Sequence, residues 1–169
     1  RTLDMKMDGQ IFARTVSEGF LKPFCTVRIA AASLNKFFKE SDFKMKKCIV
    51  SNDAPKPVGP YSHAVLVGNM LFVSGQLAIN PVSGKIEGDD IKVQTQLVFK
   101  NIEAILKEAG FSFEDVVKVN VYLTSLEDFA KFNEVYSTIF TKNFPARTTV
   151  EAKLLPGALI EVDVIAAKE

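Results

Sequence analysis

The sequence predicts an α+β domain, a single sheet with two helices packed on one face. Three observations carry that prediction. A two-residue Gly68-Asn69 turn separates two short strand-like runs, two apolar stripes recur at helical spacing, and three further runs read as strands. In chain order the elements are ββ, α, β, α, ββ, which builds one layer of strands and one of helices.

Each element has a local reason. Ser51-Asn52-Asp53-Ala54-Pro55-Lys56-Pro57 is a proline-rich lead-in that cannot be helical. His63 to Val67 and Met70 to Ser74 flank the Gly68-Asn69 turn, and Asn80 to Lys85 makes another turn. Asp89 or Asp90 caps a helix whose apolar positions are Ile91, Val98, Ile102, Ile105 and Ala109, with Gly110 as the stop. Val116 to Leu123 alternates as a strand. Thr124-Ser125-Leu126-Glu127 has the pattern of a capping box opening a second helix, with Phe129, Phe132, Val135/Tyr136 and Ile139/Phe140 as its buried stripe. Arg147 to Ala152 and Leu159 to Ala166 complete the strands.

With 169 residues there is room for this domain and an extension. Residues 1–47 hold ten Lys/Arg against five Asp/Glu, a charge of +5, while residues 48–169 carry −4. We therefore divide the chain into a basic N-terminal extension, 1–47, and a domain, 48–169. The extension reads as transit-peptide-like or as an artificial appendage, with a helix expected around Val27 to Phe38. The chain begins at Arg1, and Met45 is a candidate natural start. Cys25 and Cys48 give no disulfide framework and there is no Asn-x-Ser/Thr sequon, so a reducing compartment is expected. That means the cytoplasm, or a mitochondrion or plastid if the extension is a transit peptide. No apolar run reaches the roughly 20 residues of a membrane span.

The inventory excludes several chemistries. One histidine and two cysteines cannot build the usual zinc site. His63 adjoins Ser62 on an expected strand, so the two side chains diverge and form no triad; His63 is read as a partly exposed strand residue. There is no phosphate-binding glycine loop. The acidic balance of 48–169 argues against nucleic-acid binding.

Polar residues in odd places remain. Arg147 is the one arginine after Arg28, although lysine would serve solubility equally well. It reads either as a planar fork for a carboxylate or phosphate, or as half of a structural ion pair. Tyr61, Ser74 and Glu161 read either as ordinary strand positions or as hydroxyls and a carboxylate able to handle a proton or water. In Val116–Leu123, Val119, Val121 and Leu123 face one side and Lys118, Asn120 and Tyr122 the other, a mixed surface that either self-association or the N-terminal extension would bury.

Gly59-Pro60-Tyr61-Ser62-His63-Ala64, Val73-Ser74-Gly75-Gln76, Asn69, Asn133, Phe144-Pro145-Ala146-Arg147 and Ile160-Glu161-Val162-Asp163-Val164-Ile165-Ala166-Ala167 together resemble the Rid family, also called YjgF or L-PSP. The likeness runs from about Ser51 to Ala167. It implies a chorismate-mutase-like fold of the bacterial type, assembled as a homotrimer with clefts between subunits. For the RidA branch it implies hydrolysis of 2-enamine or 2-imine acids, such as 2-aminoacrylate, to 2-keto acids and ammonia, with no metal or organic cofactor. By the same resemblance Arg147 holds the substrate carboxylate and Glu161 directs water or passes a proton. Tyr61, Ser74, Gly75, Asn133 and Thr149 line the site. Two departures stand out. Thr149 replaces a cysteine common in bacterial members, and Leu155-Pro156-Gly157 is one residue shorter than the usual loop, which would turn Glu161 to the other face unless the loop absorbs the deletion. An endoribonuclease or translation inhibitor, and a non-catalytic trimer that binds small acids, are the competing functions.

Overall fold

In the computed structural model the described residues are 46–169; the helix expected near Val27 to Phe38 and the leader readings lie outside them. Six strands and two helices follow in the order β1 (Lys47–Ile49), β2 (Ala64–Val67), β3 (Met70–Leu77), α1 (Ile91–Glu108), β4 (Val116–Leu123), α2 (Phe129–Ile139), β5 (Ala146–Glu151) and β6 (Ile160–Ala167). They form one mixed sheet of order β1-β2-β3-β6-β4-β5. β4 and β5 are parallel and every other pair is antiparallel. β3 and β4 each run antiparallel to β6 and hence parallel to one another. Both parallel connections, β3–α1–β4 and β4–α2–β5, need a crossover, and the helices provide it. None of the described helices is long and apolar enough to cross a membrane.

Local chemistry explains most boundaries. Gly68 sits at φ +60, while Asn69 is not left-handed, as in a hairpin turn that places glycine first. The Asp90 side chain accepts from Lys92 N at 2.7 Å and caps α1. Gly110, at φ +78, ends it. The second helix starts differently from the expected capping box. Ser125, not Thr124, accepts from Glu127 N and opens a 3-10 turn, Leu126–Asp128, before α2 begins. The Thr124 hydroxyl donates instead to Leu159 O. His63 is also corrected: it precedes β2 and is 1% exposed, because both ring nitrogens have backbone partners. The three-residue β1 was not expected.

The core lies between helices and sheet. Leu71, Val73, Val119, Val121, Leu123, Ile160, Val162 and Val164 are buried on one sheet face, against Val98, Phe99, Ile102, Ile105 and Phe132 of the helices. Each such side chain contributes about 1.5–3 kcal/mol of transfer free energy. Phe99 packs edge to face with Phe113, Tyr136 and Phe140, and Phe113 with Phe140, at centroid distances of 5.5–6.0 Å, while Tyr136 and Phe140 are tilted at 4.8 Å. The alternate residues, Lys118, Asn120, Tyr122, Glu161, Asp163 and Phe72, look out from the uncovered face.

Candidate active site

Arg147 stands opposite Val119 in the β4–β5 ladder, and Thr149 opposite Val121, so both share the helix-covered face. There the guanidinium lies over three rings of α2, with Cζ 4.5 Å from the Tyr136 centroid, 5.3 Å from Phe132 and 5.5 Å from Phe129. Cation–π attraction offsets part of the cost of its half-burial. Its Nη1 donates to Asn133 Oδ1 at 2.8 Å. Among the described residues no carboxylate lies within 4.0 Å of it, which removes the structural ion pair as its explanation. Asn133, Tyr136, Ser137, Phe144, Pro145 and Arg147 line a cleft of about 380 Å³. The Thr149 and Tyr136 hydroxyls are buried without a partner.

Glu161 occupies the opposite face. It pairs with Tyr122 of β4 and alternates with the buried Ile160 and Val162. Between Val73 and Gln76 the β3–β6 register slips by one residue, and the bulge contains Ser74 and Gly75. A Cβ at Gly75 would overlap Glu161 Oε1, so glycine leaves the carboxylate room to sit there. Ser74 donates its hydroxyl to Ser62 O at 2.8 Å and its N–H to His63 O at 2.9 Å, which ties it to the segment carrying the exposed Tyr61. Burial, and secondly the charge of Asp163, push the Glu161 carboxyl above its ordinary value. Asp163 itself accepts from Asn120 at 2.8 Å and from the Tyr122 hydroxyl at 3.2 Å.

The seven residues singled out in the sequence therefore fall into two groups. Arg147, Asn133 and Thr149 are together on one side of the sheet; Ser74, Gly75 and Glu161 are on the other, with Tyr61 in the exposed segment that Ser74 ties down. Two strand spacings and three residues separate the Arg147 and Glu161 backbones, roughly 14 Å, with the sheet between their side chains. No small acid reaches both within one chain. Phe129 and Tyr136 join the Arg147 group although their spacing reads simply as core; the adjacent Asn133 was the available signal. A second cleft, of about 530 Å³ between Thr124 and the segment 151–158, contains none of the seven. Its carboxylate, Glu151, accepts from Leu126 N.

A mixed sheet with two crossover helices, and an edge-strand arginine with no carboxylate partner among the described residues, defines a small α+β domain. Comparison with known proteins gives the family: residues 51–168 match the family described as Endoribonuclease L-PSP, and the chain belongs to this L-PSP, or YjgF/Rid, family. A RutC family protein of Pyrococcus abyssi is 56% identical over 125 residues, 73% of this chain and 98% of the relative. Among solved structures, RidA from the Antarctic bacterium Psychrobacter sp. is 42% identical with a TM-score of 0.69, covering 72% of this chain and 99% of that one. TdcF of E. coli, solved with bound serine, is 37% identical with a TM-score of 0.69, covering 73% and 99%.

Proposed function

We propose that this protein hydrolyses reactive 2-enamine and 2-imine acids, such as 2-aminoacrylate, to 2-keto acids and ammonia, in sites shared between copies of a homotrimer. The observation that carries the reading is the Arg147 guanidinium, bedded on aromatic rings, held by one neutral hydrogen bond and lacking a carboxylate partner among the described residues. A planar fork so prepared suits an organic carboxylate. A relative with bound serine supports an amino-acid-like ligand.

In this reading Arg147 grips the carboxylate in the cleft beside Asn133 and Thr149. The enamine takes a proton at its terminal carbon, gives one up from its nitrogen and becomes the imine. Glu161 of a neighbouring copy directs water onto the imine carbon, accepts a proton from it and returns one to the nitrogen, leaving a carbon that bears a hydroxyl and an amino group. The hydroxyl proton then passes to the nitrogen by the same carboxylate as the C–N bond breaks and the C=O bond forms; ammonia leaves and the keto acid remains. A carboxyl whose proton affinity burial has raised suits these transfers. Tyr61, Ser74 and the backbone at Gly75 complete the water side. Such imines hydrolyse unaided, so positioning and charge stabilisation suffice.

The family description names an endoribonuclease. Residues 48–169 carry −4, however, and a phosphate backbone calls for a basic surface. The deciding assay generates 2-aminoacrylate in situ and follows keto-acid release. Arg147→Ala is expected to lose about 100-fold or more in kcat/KM and Arg147→Lys about tenfold, since lysine keeps charge but not the fork. Full acceleration by Arg147→Ala would end the assignment.

A further inference from the structure

His63 has no part in the chemistry above, yet both of its ring nitrogens are committed. Nδ1 accepts from Ser51 N at 3.0 Å, so it carries no proton; Nε2 carries it and faces Pro55 O at 2.7 Å. The ring is 1% exposed and Ser51 3%. Ser51 in turn takes the Asp53 N–H on its hydroxyl at 3.3 Å, closing the proline-rich lead-in on itself. The residues on either side of the ring lead to the Glu161 group. His63 O accepts from Ser74 N at 2.9 Å, Ser62 O accepts from the Ser74 hydroxyl at 2.8 Å, and Tyr61 is the next residue back. Tyr61 is otherwise held within its own loop, its N–H donating to Gly59 O at 2.9 Å and its hydroxyl accepting from Val58 N at 3.3 Å.

We propose that His63 is a positioning residue: its ring fastens the loop from Ser51 to Pro55 to the start of β2, and thereby fixes the Tyr61–Ser62 segment that holds Ser74, the neighbour of the Gly75 that faces Glu161. The chain between the two anchors, Pro55 and His63, is a loop containing Pro57, Gly59 and Pro60, without regular structure to hold Tyr61. A leucine would fill the same space and satisfy neither the buried Ser51 N–H nor Pro55 O, so the lead-in would shift to find partners. The histidine acts through these backbone bonds and touches no reacting atom.

The effect on turnover rests on the function proposed above, and the test separates the two. His63→Asn places an amide where Nδ1 stands and keeps an acceptor for Ser51; His63→Gln reaches the place of Nε2 and keeps a donor for Pro55; His63→Leu keeps neither. In imine hydrolysis kcat should fall roughly threefold in the Asn and Gln variants and roughly tenfold or more in Leu. KM should stay within about twofold, because the Arg147 side that holds the carboxylate is untouched. Hydrogen exchange at the Ser74 amide, read without substrate, should quicken in the same order. Asn and Gln variants with wild-type kcat and unchanged Ser74 exchange would overturn the proposal, and so would a KM rise as large as the fall in kcat. Should His63→Leu fail to fold, Asn and Gln decide the matter alone. A wild-type protein inactive on the imine would sink the proposed function, while the exchange order would still decide the role of His63.

Discussion

Glu161 and Arg147 are half-buried charges treated in opposite ways. Arg147 is given ring faces and an amide oxygen, neutral groups that leave its charge available to a ligand. Glu161 is given a carboxylate neighbour, Asp163, in addition to burial, and both raise its proton affinity. The folded chain thus binds the Glu161 proton more tightly than the unfolded chain does. Stability falls as pH rises through the interval between the unfolded and folded values, and the penalty is complete above the folded one. Glu161→Gln removes it. The variant should melt at a higher temperature than wild type at neutral and alkaline pH, the gap closing as acid protonates the wild-type carboxyl; melting curves across pH check this, and a constant gap would refute it. Arg147 was legible as a lone arginine in a lysine-rich chain. Its aromatic bed was not, because rings at i, i+3 and i+7 read the same whether they pack in a core or under a guanidinium. His63 was misread for a related reason: two backbone groups distant in sequence satisfy it, and no local pattern announces them.

At the scale of elements, the bulge in β3 does most to shape the second group. One extra residue between Val73 and Gln76 turns Ser74 and Gly75 toward β6, and the missing side chain at Gly75 leaves room for the Glu161 carboxylate. Gly75→Ala should therefore displace that carboxylate with little change in helix or strand content. The expected loss in kcat is about tenfold to 100-fold, from a shift on the order of 1 Å; kinetics alongside far-UV circular dichroism test it, and unimpaired turnover would show that Glu161 does not depend on this space. The hairpin, both helices and β4 could be read from the chain, since turn glycines, caps and apolar periods are local signals. β1 could not, because Lys47-Cys48-Ile49 is too short to alternate. Nor could the insertion of β6 between β3 and β4, which is a pairing of distant segments. The registers, with Arg147 opposite Val119 and Glu161 opposite Tyr122, put the two side chains on opposite faces.

For the whole molecule, the helices among the described residues lie on one side of the sheet, and with Arg147 and Glu161 on opposite faces the proposed site needs a second copy. Val67, Met70, Phe72 and Val117 are each 38–47% exposed, a further reason for the open face to seek cover. In the proposed trimer each head-to-tail interface joins the Arg147 face of one copy to the Glu161 face of the next. Arg147→Ala and Glu161→Ala chains would then each be inactive alone and complement one another when mixed during refolding. An interface is intact when its Arg147 side comes from the Glu161→Ala chain and its Glu161 side from the Arg147→Ala chain. Random equimolar assembly makes that so for one interface in four, and about a quarter of wild-type activity should return. Sites confined to single chains would give none, because every chain in the mixture would lack one of the two groups. Recovery near a quarter, proportional to the product of the two fractions as the mixing ratio is varied, is what distinguishes a shared site from a partial rescue within either mutant.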